Sequence, residues 1–212
     1  FKGDKSYAGD MSKIWFLQEG FIMKKWTDRI ETPIKAELIC YDVNGIQIVF
    51  GVTEEKELKL FHFSRAPFDV ENLCRKPDNW WPMEGMREAQ IKESFQLVQV
   101  NFSGYNRPYE KHGNKYIVTA PGFMLKFDSI SEERDENGDV LRIVQKDGVT
   151  GAKVESVMQF YDGLSIARMY NTVTNEGNED QTLEYISSFS YWGIEKEQKE
   201  GIPEFISSDD KM

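Results

Sequence analysis

The chain has 212 residues, 36 of them acidic and 26 basic, for a net charge of -10; 40 % are hydrophobic and 13 % aromatic. That length and apolar content support a packed core and exclude a disordered chain. The acidic balance excludes a phosphate-backbone partner, which needs a basic stripe, and so predicts no nucleic-acid binding.

Residues 1–30 mix Trp15, Phe16, Phe21, Ile22, Met23 and Trp26 with charged side chains. They are expected to form an irregular segment that packs on the main domain. Residues 1–10 lack the apolar stretch of a secretory signal. No run of about 18 apolar residues marks a membrane span. The cytoplasm is the expected location. Within this segment Trp26, Asp28 and Arg29 form one candidate surface for a sugar or a subunit.

From residue 31 to 197 the pattern is that of one all-β domain. The cysteines are Cys40 and Cys74. Cys40 lies in the apolar run Leu38-Ile39-Cys40-Tyr41 and reads as a buried free thiol; so sparse a set does not build a disulfide scaffold. Asn44-Gly45 predicts a hairpin into an alternating run, Ile46, Ile48, Phe50 and Val52. His62, between Phe61 and Phe63, reads as a satisfied core or edge histidine. Residues 69–73 predict one short helical turn, and 84–91 a short helix. Between them the loop 64–92 carries Pro77-Asp78-Asn79-Trp80-Trp81-Pro82-Met83. Long loops in compact domains are often functional. Trp80 and Trp81 present a flat apolar face suited to a sugar ring or a partner subunit. The plainer alternative is that one of them covers the edge of the core.

Further alternation follows at Val98, Val100 and Phe102, then at Phe123, Leu125 and Phe127, at Val154, Met158 and Phe160, and at Leu183, Tyr185 and Phe189. Such period-2 runs put one strand face on the core and the other toward solvent. Asn137-Gly138, Asp162-Gly163 and the run Asn175-Glu176-Gly177-Asn178 supply the turns between them. Residues 198–212 are polar and read as a linker. Strands joined by hairpins, with no strand–helix alternation, predict antiparallel sheets packed as a sandwich. They exclude a doubly wound sheet and a (β/α)₈ barrel.

No motif assembles chemistry. There is no phosphate-binding glycine loop, no zinc-ligand spacing and no nucleophile elbow, so neither a cofactor nor a metal is expected. His112 reads as a loop residue. Glycosidase chemistry needs two carboxyl groups about 5–5.5 Å apart, or more for inversion. The densest acidic cluster is Glu132, Glu133, Asp135, Glu136 and Asp139. It surrounds the Asn137-Gly138 turn, where its carboxylates are expected to be solvated and mutually repelling.

Several stretches, taken in order, resemble the N-terminal domain of family 36 of the glycoside hydrolases, the bacterial α-galactosidases. They are Leu58-Lys59-Leu60-Phe61-His62-Phe63, the strand from Phe95 through Gly104, and Lys111-His112-Gly113-Asn114-Lys115-Tyr116. Phe160-Tyr161-Asp162-Gly163-Leu164-Ser165-Ile166-Ala167-Arg168 matches best. Val173-Thr174-Asn175-Glu176-Gly177 and Leu183-Glu184-Tyr185-Ile186-Ser187-Ser188 follow it. The resemblance covers residues 35–197 and includes no catalytic motif. It implies a β-supersandwich placed ahead of a (β/α)₈ barrel that carries both catalytic aspartates. No position here matches either aspartate, so no catalytic residue is expected in this chain. The resemblance also implies homo-oligomer contacts in the full-length parent, and a loop approaching an α-galactoside site; by position that loop is the one holding Trp80 and Trp81. The expectation is a non-catalytic domain contributing to assembly and to the architecture of the sugar site. The alternatives are a free-standing carbohydrate-binding module and a structural self-association domain.

Overall fold

A computed structural model describes residues 23–31, 34–73, 95–105 and 120–191. The first sheet is an antiparallel meander of β1 (Lys24–Ile30), β2 (Ala36–Val43), β3 (Ile46–Thr53) and β4 (Leu58–Ser64). The second is a meander of β6 (Lys126–Arg134), β7 (Asp139–Lys146), β8 (Ala152–Tyr161) and β9 (Leu164–Asn175). Short strands β5 (Val100–Phe102) and β10 (Leu183–Ile186) pair as a third unit. The helices are one-turn pieces, α1 (Val70–Leu73) and α2 (Ala120–Met124).

The expected hairpins form at Asn44-Gly45, Asn137-Gly138 and Asp162-Gly163, whereas the Asn175–Asn178 turn leads from β9 to β10, which pairs with β5. Asn44 and Gly45 take φ of 52° and 78° between β2 and β3. Positive φ at both turn residues matches the right-handed twist of the flanking strands. Gly163 at 73° does the same service between β8 and β9.

The two large sheets face each other across one core. Tyr41, Ile48, Phe50 and Leu60 from the first meet Leu141, Ile143, Met158 and Phe160 from the second. A second cluster covers the back of the first sheet. There Leu38, Cys40, Val49 and Phe61 pack with Leu73 of α1. A third joins Val100 and Phe102 of β5 to Ala152 and Val154 of β8. The fold is therefore an all-β antiparallel sandwich. Its first sheet carries side chains packed on both faces.

Some elements depart from the sequence reading. Phe123 belongs to α2, not to a strand, and β6 starts only at Lys126. Pro121 fits the first turn of a helix, where its missing N–H removes no bond. Val98 is buried but precedes β5. The first sheet begins inside the segment set apart as 1–30, because residues 24–30 pair along β2 in unbroken register. Helix α1 falls within the expected 69–73. The expected helix at 84–91 and the linker at 198–212 lie outside the described residues.

Candidate functional site

The most organised polar group among the described residues sits at the rim between the two large sheets. Alternation along β6 turns Glu132 inward beside Leu141 of β7. Tyr41 of β2 and Lys25 of β1 are register partners, so their side chains share a face. Both reach Glu132. Its Oε1 accepts the Tyr41 hydroxyl at 2.6 Å and the Lys25 ammonium at 2.5 Å. Lys25 also lies 5.6 Å from the centre of the Tyr41 ring.

The electrostatics follow from these partners. Burial pushes Glu132 up, but the hydrogen bonds from Lys25 and Tyr41 and the Lys25 charge outweigh it. The carboxyl therefore titrates below its ordinary value. Tyr41 is pushed far up, first by burial and then by its bond to the Glu132 carboxylate. Glu132 stays ionised with an oxygen taken by two donors, and Tyr41 stays protonated. A general acid needs a raised carboxyl pKa and a proton to give. This trio has the opposite arrangement and ties one sheet to the other.

Next to it, Asp139 is buried. It accepts Arg134 Nη1 at 2.7 Å and the Met23 backbone N–H at 2.8 Å. Arg134 also pairs with Asp162 in the β8–β9 turn. Asp135 accepts the backbone N–H groups of Asn137 and Gly138, which holds its carboxyl below the ordinary value. Glu133 is bound by Arg142, which also reaches Glu155. The acidic cluster is thus not a set of free, repelling carboxylates. Four of its five members have defined partners, which are cations, a hydroxyl, a side-chain amide and backbone donors. No two of them are arranged as a free carboxyl pair.

The other sequence candidates separate. Trp26 lies on β1 opposite Cys40 and packs against the rear cluster of the first sheet. Asp28 is exposed and accepts its neighbour's backbone N–H from Arg29 at 2.8 Å. The Arg29 side chain turns instead to Glu31, at 2.7 Å. The described contacts do not join Trp26, Asp28 and Arg29 into one site; Trp26 serves as a cover for core. His62 is satisfied, with Nε2 2.7 Å from the Ala66 carbonyl and the ring against Phe68. Cys40 is buried, at 2 % exposure. Trp80, Trp81, His112 and Cys74 lie outside the described residues.

Sequence reasoning missed Tyr41 and Lys25. The signal was present: Tyr41 falls in phase with Val43 in an apolar strand, so its ring is core and its hydroxyl needs a polar partner at the rim. Nothing in the sequence pairs it with a residue 91 positions away.

Among the described residues no group of three or more His, Cys, Asp or Glu side chains is placed to hold a metal ion. No described helix is long and apolar enough to cross a membrane. No protein-family model, no curated protein and no solved structure matches the chain.

Proposed function

We propose that the chain is a non-catalytic β-sandwich domain of an α-galactosidase, a glycoside hydrolase acting on α-galactosides, and that it contributes to subunit assembly and to the architecture of the sugar site. The observation that carries this reading is the placement of the two most specific resembling motifs. Tyr161-Asp162-Gly163 is the turn that opens β9, and Asn175-Glu176-Gly177 is the turn that closes it. Glu132 supports the non-catalytic part, since it stays ionised and ties one sheet to the other. The reading includes a cytoplasmic location, for which the sparse cysteine usage of the chain is the support.

The test is complementation. A family 36 catalytic barrel deprived of its N-terminal domain is co-expressed with this chain and assayed on p-nitrophenyl α-galactoside. Recovery of hydrolysis by the pair, with none by this chain alone, is expected. Turnover by the chain alone overturns the non-catalytic assignment. A barrel that gains nothing from the chain counts against the α-galactosidase assignment.

A further inference from the structure

Strand β9 is the outer strand of the second sheet, 12 residues long. Among the described residues its backbone ladder runs to β8 and to no other strand. Other edges are covered in part. Leu60 of β4 donates its N–H to Phe95 at 2.7 Å, and Phe127 of β6 donates to Lys56 at 2.7 Å. A bare edge presents a row of unpaired donors and acceptors, and proteins blunt such edges with lysines, prolines or bulges. β9 has no lysine and no proline. Its one register shift lies at the hairpin end, between Phe160 and Tyr161 of β8.

The outward face of the strand is also unusual. Leu164, Ile166 and Tyr170 alternate on it at 51 %, 55 % and 42 % exposure. The only charge between residues 164 and 175 is Arg168, in a chain with a net charge of -10. Two acidic molecules repel over most of their surfaces. Here no carboxylate meets its own copy.

We infer that β9 pairs antiparallel with β9 of a second copy of this chain, joining two four-stranded sheets into one of eight. A two-fold axis normal to the sheet keeps both apolar stripes on the same side. It also makes facing residues share parity. Centring the axis on Arg168 sets two like charges face to face, which is unfavourable. Centring it on Met169 overlaps nearly the whole strand. That register sets Arg168 opposite the partner's Tyr170, twice over. Arg168 already lies 5.6 Å from the Tyr170 ring centre within one chain, so a guanidinium on this ring is a contact the strand accommodates. The pairing gives the assembly part of the proposed function a definite surface, and it does not depend on galactoside chemistry.

The experiment is sedimentation equilibrium of the whole chain up to about 1 mM, a range set by the small area that one strand pair buries. Hydrogen exchange is read at low and high concentration alongside it. The expected result is a monomer–dimer equilibrium with residues 164–175 gaining protection as the dimer forms. Ile166→Lys puts a charge on an exposed position and leaves the monomer's circular dichroism unchanged; it raises the dissociation constant roughly tenfold or more. Arg168→Glu weakens the dimer as well. A chain that stays monomeric across the range overturns the inference. So does a dimer whose new protection falls outside β9, or one indifferent to Ile166→Lys. Failed complementation of the barrel leaves each of these readings intact.

Discussion

β3 and β8 are both inner strands of four-stranded antiparallel meanders, and they are buried differently. In β3 the consecutive residues Ile48, Val49 and Phe50 are all at 0 % exposure. Ile48 and Phe50 face the second sheet, while Val49 faces the rear cluster with Phe61 and Leu73. In β8 the inward residues Val154, Ser156, Met158 and Phe160 are buried; on the other face Lys153, Glu155 and Gln159 are only half-buried, and Val157 breaks the alternation at 2 % exposure. A continuous apolar run marks a strand covered on both faces, and alternation marks one covered on a single face. The first sheet is a middle layer and the second is an outer one. The difference locates the molecule's open surface on the second sheet, where β9 ends it.

The comparison is broken most severely at the middle layer. Phe50 touches the inter-sheet core and stacks edge-on with Tyr41, ring centres 6.3 Å apart. Phe50→Ala is expected to cost about 3–5 kcal/mol in urea unfolding, because surrounding side chains on two sheets cannot collapse into the space. Close behind comes Gly51→Ala. A Cβ at Gly51 would collide with the Phe61 ring, which is itself packed in the rear cluster. The expected loss is about 1–3 kcal/mol from overpacking. Phe61→Leu in the same chain should recover part of it, since the smaller side chain vacates the contact. A Gly51→Ala variant as stable as wild type would mean that the rear face is loosely packed.

The tie between the layers is next. Glu132→Gln removes a charge that two donors serve, and a loss of about 1 kcal/mol is expected after screening at this half-open rim. Its pH dependence has a definite sign. Glu132 titrates below its ordinary 4.5 in the folded chain, so its contribution is present above that pH and fades as acid reaches the folded value. Tyr41 is raised above its ordinary 10.0, so its contribution is present below that pH and fades in stronger alkali. The stability gap between wild type and Glu132→Gln should therefore close on acidification. The gap to Tyr41→Phe should close above pH 10. Chemical unfolding at a series of pH values measures both, and a gap that widens in acid would break the assignment of Glu132 as the ionised partner.

The sequence made the strands and their turns legible because both are local. Asn44-Gly45 and Asp162-Gly163 need only their own backbone angles to specify a hairpin. The alternation of β8 and β9 needs only one covered face. What was not legible required contacts distant in sequence. Glu132 reads as one more acid beside a turn until Tyr41 and Lys25 arrive from the opposite sheet. Trp26 and Asp28 look like a pair in sequence. On β1 the indole is drawn onto apolar core, whereas the carboxylate stays exposed beside its own neighbour's N–H. Phe123 kept the strand phase but went into α2, because periodicity over three residues does not distinguish a strand from a helical turn leading into one. The edge of β9, unpaired among the described residues, was visible in part, as an alternating strand with no lysine or proline. Its position at the end of the sheet was not.

The smallest expected effect has the opposite sign, and it tests how well the inner face of the outer layer is satisfied. Ser156 sits at the centre of that face, between Ile143 of β7 and Asn171 of β9. It is 2 % exposed and its hydroxyl has no hydrogen-bond partner among the described residues. A buried hydroxyl without a partner is destabilising by about 1–3 kcal/mol, whereas removing one oxygen from a packed site leaves only a small void. Ser156→Ala should therefore raise stability by roughly 0.5–1 kcal/mol. At the facing position, Asn171 already spends its amide nitrogen on the carbonyls of Ser187 and Ser188, at 2.5 and 3.0 Å. Asn171→Ala removes those two bonds and should lower stability. If Ser156→Ala also lowers it, the hydroxyl is bonded in solution, and Ser156 bridges β8 to β9 through Asn171 Oδ1, which likewise has no partner among the described residues.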